Sequence, residues 1–227
     1  MRLVTVSGPA NSGKTSVIIN MILELRASGK NVGVLKFDCL TTDDDKPYKK
    51  HDIPIQVGLS GGLCPDHFFG SNISKCLEWG KESGFDILIS ESAGLCNRCS
   101  PHITDSYAIC VIDNLMGANA PRKIGPMLKM ADAVIITKSD IVSQAEREVF
   151  AFHIRRANAR TVIIPVNGLT GQGSGEMARI IDRDAKDLTD SISLRFPMPG
   201  ALCSYCLGET RIQPDLLFGN QRRMQIK

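Results

Sequence analysis

Gly8-Pro9-Ala10-Asn11-Ser12-Gly13-Lys14-Thr15 is the stretch that decides the fold. It fits G-x-x-x-x-G-K-T, and its setting fits as well. Before it, residues 2–7 form a short β-branched run that reads as a buried strand. After it, Val17, Ile18, Met21, Ile22 and Leu25 recur at helical spacing, so residues 13–28 read as a helix. Strand, glycine turn and helix is the context in which this motif cradles phosphate. The glycines let backbone N–H groups curl around phosphate oxygens, and the helix N-terminus adds partial positive charge. Gly8, Asn11, Ser12, Gly13 and Ser16 then line the phosphates. Lys14 reaches the β and γ phosphates, and the Thr15 hydroxyl ligates Mg2+. A chance glycine turn before a helix is the bland alternative, and motif and context together argue against it. The chain is expected to bind a nucleoside triphosphate.

Outward from this loop, strands alternate with helices. Strand patterns cover residues 31–37, 85–90, 107–112, 133–137 and 161–166. Helical patterns cover 71–83, 140–157 and 175–188. Residues 41–52 are polar and crowded with charge, and 59–70 are glycine-rich, so both read as loops. The pattern predicts an α/β fold: a three-layer P-loop NTPase with a mostly parallel sheet and helices on both faces. Residues 1–195 form the expected P-loop domain. From Phe196 the periodicity stops. The tail, 196–227, carries Pro197, Pro199, Gly200, two cysteines and a basic end, and is expected to pack on the domain.

Composition excludes several classes. Apolar residues are 43% and charged residues 22% of the 227, enough for a real core and against general disorder. Lys+Arg of 27 against Asp+Glu of 24 leaves +3, too weak and dispersed to argue for nucleic acid or an anionic membrane. No apolar stretch approaches the ~18 residues of a membrane span. The N-terminus runs straight into a strand, unlike a signal peptide. A cytoplasmic location is expected.

The base is read further along. Thr137-Lys138-Ser139-Asp140 follows the apolar run 133–136 and fits the [N/T]-K-x-D pattern of GTPases. A carboxylate at Asp140 can accept from guanine N1–H and N2–H2, a donor pair that adenine lacks. The stem of Lys138 can lie across the ring. The competing assignment makes Asp140 the N-cap of the next helix. Asn167-Gly168 reads as a last base-contacting loop, although Asn-Gly is also a common turn. Two acidic residues stand at strand tips beside the phosphate loop. Asp38 follows the second strand, and Glu91 ends the run 85–90 as a Walker B acid does; such positions hold Mg2+ or an attacking water.

These motifs resemble the nickel-insertion GTPases, above all the urease accessory GTPase and less closely the hydrogenase-maturation GTPase. The resemblance covers about residues 1–175. Phe37-Asp38 through Asp43-Asp44 resembles the family's N-D-[I/V]-x-T-x-E-D switch, and Glu91-Ser92-Ala93-Gly94 its E-S-G-G. Gly61-Gly62-Leu63-Cys64-Pro65 resembles its G-G-C-P metal loop. Val111-Ile112-Asp113, Gly117 and Pro121-Arg122-Lys123-Ile124-Gly125-Pro126 match V-I-D…G…P-R-K-G-G-P almost residue for residue. The resemblance implies a SIMIBI-class GTPase of slow intrinsic turnover. It implies dimerisation when GTP is bound and delivery of a metal to a client metalloenzyme or accessory protein. It makes Asp38 the switch acid near Mg2+ and the attacking water. It makes Cys64 and His67 a metal site at the dimer interface, although Cys64-Pro65-Asp66-His67 carries one residue more than the family's C-P-H.

Eight cysteines remain to be explained. Cys76 and Cys110 fall in or next to predicted elements and read as core thiols. Cys96-x-x-Cys99-x-x-His102 and Cys203-x-x-Cys206 lie outside the family pattern. Two C-x-x-C pairs can supply four thiolates to one tetrahedral site, for Zn2+ or a [4Fe–4S] cluster. Three functions stay open at this point. One is a GTP-dependent metallochaperone handling Ni2+ or Zn2+. The others are an iron–sulfur NTPase acting as a redox partner, and a nucleotide switch with a structural Zn2+.

Overall fold

Seven strands form one sheet in the order β3-β2-β4-β1-β5-β6-β7. They are β1 (Arg2–Ser7), β2 (Val32–Asp38), β3 (Ile55–Leu59), β4 (Ile87–Ser92), β5 (Tyr107–Asp113), β6 (Ala133–Thr137) and β7 (Val162–Pro165). Every pairing is parallel. This is a computed structural model, and it describes residues 1–41, 43, 45–95, 97–189, 191–198, 203–219 and 222–226. Asp44, Cys96, Pro199 and Gly200, all singled out in the sequence, lie outside the described residues.

The central strands are buried at nearly every position because both of their faces are covered. Successive side chains point to opposite faces. Val4, Val6, Ile109, Val111, Ala133 and Ile135 join one core with helices α1 (Lys14–Ala27) and α6 (Ser174–Asp184). Leu3, Leu35 and Leu88 enter a second core beneath α3 (Pro65–Glu82). Cys110, Ile112, Val134 and Ile136 enter a third with α4 (Pro126–Lys129) and α5 (Gln144–Ala157). Cys76 and Cys110 are both buried, as the sequence suggests.

Four local differences from the sequence pattern have physical causes. β3 is a five-residue edge strand paired only with β2, too short to stand out as a period of two. The polar stretch expected to be a loop contains α2 (Asp45–Lys50), whose buried residue is Tyr48. α3 starts at Pro65, earlier than its apolar spacing indicates, because proline at the first helical position needs no N–H partner. α5 starts at Gln144 rather than 140, since Ser143 and Glu146 form a reciprocal capping box. Asp140 is therefore not a helix cap; it sits exposed in the 3-10 turn Ser139–Ile141.

The chain after α6 returns across the β4–β1–β5 region. Arg195 holds Asp132 through two parallel bonds of 2.9 Å and donates to the carbonyls of Ile103, Met130 and Ser106. Beyond it, Cys203, Tyr205, Ile212 and Met224 join the core of α3. Tyr205 is fully buried and its hydroxyl donates to Gly70 O at 3.2 Å. Asn72 donates to Arg222 O and accepts from Met224 N, so the last described residues are tied to α3 through backbone.

Candidate functional site

The glycine loop between β1 and α1 lies at the C-terminal edge of the parallel sheet, where open α/β folds bind ligands. Two glycines make the approach of chains possible here. Gly8 has φ +144° and Gly94 has φ +68°. A Cβ on Gly94 would overlap the carbonyl oxygen of Gly8, and one on Gly8 would overlap that of Val111. Lys14 bridges the same gap, donating to Gly8 O at 3.0 Å, Pro9 O at 2.8 Å and Ala93 O at 3.5 Å. A cleft of ≈ 400 Å³ opens beside it, lined by Asn11, Gly13, Thr15, Ser16, Asp38 and Glu91 among others. Ser12 Oγ is buried with no hydrogen-bond partner among the described residues. The oxygen donors Thr15, Asp38 and Glu91 share this cleft, and an all-oxygen set suits Mg2+.

Glu91 is more heavily engaged than a strand-tip acid need be. Its Oε1 accepts from Thr15 Oγ1 at 2.8 Å and from Lys36 Nζ at 2.8 Å; its Oε2 accepts from Tyr48 at 2.8 Å. Lys36 and Glu91 are register partners across β2 and β4. Sequence reasoning missed Lys36 and Tyr48. The available signal was a lysine inside the apolar strand 32–38, where an unpaired charge would be costly.

The base-reading residues meet at a second cleft of ≈ 240 Å³, lined by Gly13, Ser16, Thr137, Lys138, Asp140, Asn167 and Gly168 with Ile141 and Leu169. Thr137 Oγ1 donates to Ser12 O at 2.7 Å, which ties this motif to the phosphate loop. Lys138 adopts φ 56° and donates to Asn11 O and to Asp113. Asn20 of α1 donates to Gly168 O at 2.9 Å, fixing the last loop. Asp140 is exposed and lines this cleft.

The thiols gather differently from their spacing in sequence. Cys64 caps α3 and its Sγ lies 4.0 Å from Cys99 Sγ, with Asp66 completing one group of donors. His67, one residue further along the same turn, meets Cys203 and Cys206 in a second group. The first turn of α3 thus takes one thiol from the loop after β4 and two from the tail. Among the described residues no four thiols share one site, and Cys96 lies outside them. His102 does not join the cysteines. It is buried between β1 and α4, with Nδ1 2.8 Å from Thr5 Oγ1 and Nε2 3.0 Å from Met127 O. Burial pushes its pKa down to about 4. Burial also lowers the pKa of His67 and raises that of Cys203.

Asp66 links the two regions. It is buried, and Ser92 at the end of β4 donates a hydrogen bond to its carboxylate. Desolvation pushes the Asp66 carboxyl up to about 6.

The family model described as CobW/HypB/UreG, nucleotide-binding domain, matches residues 2–165. The chain belongs to the CobW/HypB/UreG family. An uncharacterized protein of Methanocaldococcus jannaschii is 48% identical over 226 residues, covering 99% of this chain and 96% of that one. A urease accessory protein UreG of Edwardsiella ictaluri is 32% identical over 197 residues, covering 80% and 93%. The fold is shared with the crystal structure of HypB from Helicobacter pylori in complex with nickel, at a TM-score of 0.65, 16% identity and coverage of 84% and 91%. CobW/HypB/UreG proteins are P-loop GTPases, and this chain carries their nucleotide-binding domain. No helix among the described residues is long and apolar enough to cross a membrane.

Proposed function

We propose that this chain binds and hydrolyses GTP and couples its nucleotide state to the handling of Ni2+ or Zn2+ for a client metalloenzyme or its accessory protein. In this reading it dimerises with GTP bound. The observation that carries the proposal is the bond from Ser92 to Asp66. Ser92 follows Glu91, the acid that touches the Thr15 hydroxyl. Asp66 stands between Cys64 and His67, one from each thiol group. The strand end beside the γ-phosphate position therefore holds the helical turn that carries the soft ligands. The names of the UreG and HypB relatives, one a urease accessory protein and one solved with nickel, agree with a nickel-type cargo.

Each residue has a stated part. Lys14 exchanges loop carbonyls for phosphate oxygens. Thr15, Asp38 and Glu91 would hold Mg2+, which would supply charge neutralisation to the phosphates. Asp38 orients the attacking water. Asp140 and Lys138 hold guanine, with Asn167 and Gly168 closing the pocket. Loss of the γ-phosphate alters what Glu91 and Ser92 hold, and so biases the α3 turn between two arrangements.

The test is GTP turnover by the purified chain with Mg2+, measured with and without added Ni2+ or Zn2+. Turnover that responds to the metal and disappears in Lys14→Ala supports the proposal. Turnover indifferent to both contradicts it.

A further inference from the structure

His67 has two tail thiols around its ring. Nε2 lies 2.6 Å from Cys203 Sγ, while Cys206 Sγ lies 3.5 Å from Nδ1 and 3.7 Å from Nε2. Ligand atoms of all three residues lie within 4.8 Å of one another. We propose that His67, Cys203 and Cys206 form a metal site within one chain, for a single ion of the Zn2+ class.

Chemistry and packing both point there. Two thiolates and one imidazole are soft-to-borderline donors that select Zn2+ over Mg2+ or Ca2+. Two thiolates also cancel the charge of a divalent ion, which makes burial of the site tolerable. Cys203 and His67 are buried, while Cys206 is half-buried, so the third ligand faces an entry path. Among the described residues three protein donors meet here, and a tetrahedral ion takes one further donor beside them.

The tail is held in place for this role. His67 and Cys203 are 136 residues apart in sequence. They are brought together by Tyr205, packed edge-on to the His67 ring with centroids 6.2 Å apart and bonded to Gly70 O. Asn72 fixes the chain after the thiols on both sides of its amide. The neighbouring thiol, Cys64, faces Cys99 instead. The site rests on the metal-handling reading for its use, but its existence is tested by ion binding alone.

The experiment titrates Zn2+ alone, against a chromophoric chelator, into the reduced full chain. Co2+ alone is then used as a spectroscopic probe. One ion per chain at monomer mass is expected, with a thiolate-to-cobalt charge-transfer band. Cys203→Ser/Cys206→Ser and His67→Gln should each weaken binding by more than the roughly 10–100-fold that an outer-shell change costs. Both should bind GDP as wild type does, which shows that they fold. Cys64→Ser/Cys99→Ser should keep the ion. The proposal is overturned if the tail variant binds Zn2+ like wild type, or if Cys64→Ser/Cys99→Ser alone removes the ion. Half an ion per chain at dimer mass, or a cobalt spectrum without the sulfur band, also overturns it. Loss of GDP binding by wild type would contradict the proposed function while leaving this site to the Zn2+ result.

Discussion

Lys36 Nζ stands 2.8 Å from Glu91 Oε1, and the two side chains are 2% and 1% exposed. The same carboxylate holds the Thr15 and Tyr48 hydroxyls. One buried acid therefore ties together α1, β2, β4 and α2, and the residue proposed to attend Mg2+ is also the join between four elements.

Removing one partner of a buried pair leaves the other charge uncompensated. Lys36→Met is expected to destabilise the chain by about 3–5 kcal/mol. The Lys36→Met/Glu91→Gln double variant should recover most of that loss, because no buried charge remains. Urea denaturation of the three proteins measures it. A double variant no more stable than Lys36→Met would show that the ion pair is not what Lys36 contributes.

Base choice rests on Asp140. Asp140→Ala should raise the GTP dissociation constant by more than about tenfold, from the loss of charged hydrogen bonds at ~1.5–3 kcal/mol. Wild-type protein that binds ATP as tightly as GTP in a calorimetric titration would remove the guanine assignment.

Hydrolysis separates Lys14 from Asp38. Lys14→Ala should lose triphosphate binding. Asp38→Ala should keep the nucleotide and lose turnover, because the residue lines the cleft beside Thr15 and Glu91 and is not among those lining the base cleft. Fluorescent nucleotide binding and phosphate release, read on the same samples, distinguish the two roles. Unchanged phosphate release in Asp38→Ala would discard its role.

His102 makes stability depend on pH. Its neutral ring carries the proton on Nε2, facing the Met127 carbonyl with Ser7 Oγ 3.1 Å from the same nitrogen, while Nδ1 accepts from Thr5. The folded pKa is lowered to about 4 from 6.5, so between these values the unfolded chain binds the extra proton. Stability should be full above pH ~6.5 and fall as pH drops toward 4, by about 2–3 kcal/mol from this residue. His102→Gln should flatten that part of the profile. A pH profile of denaturation midpoints that is the same in both proteins would contradict the assignment.

Much of the fold was legible because its signals are local. The phosphate loop sits between a β-branched run and a helical stripe, and Thr137–Asp140 follows an apolar strand; both motifs carry their structural context with them. β3 and α2 were not legible, since an edge strand of five residues and a helix with one buried tyrosine have no periodicity to read. Lys36 was visible as a charge in an apolar strand, but its partner lies on another strand, 55 residues away. The part of α3 was hidden for a related reason. C-x-x-C spacing shows that Cys203 and Cys206 can share a site, but not that α3 brings His67 to them and Cys64 to Cys99.

The central claim is that nucleotide state and metal affinity are coupled through Ser92 and Asp66. It is tested most directly by Zn2+ affinity of the full chain, measured once with GDP–Mg2+ and once with a non-hydrolysable GTP analogue and Mg2+. The account predicts dissociation constants that differ by about fivefold or more, with the same factor appearing in reverse as a Zn2+-dependent change in nucleotide affinity. Equal Zn2+ affinity in the two nucleotide states would contradict it.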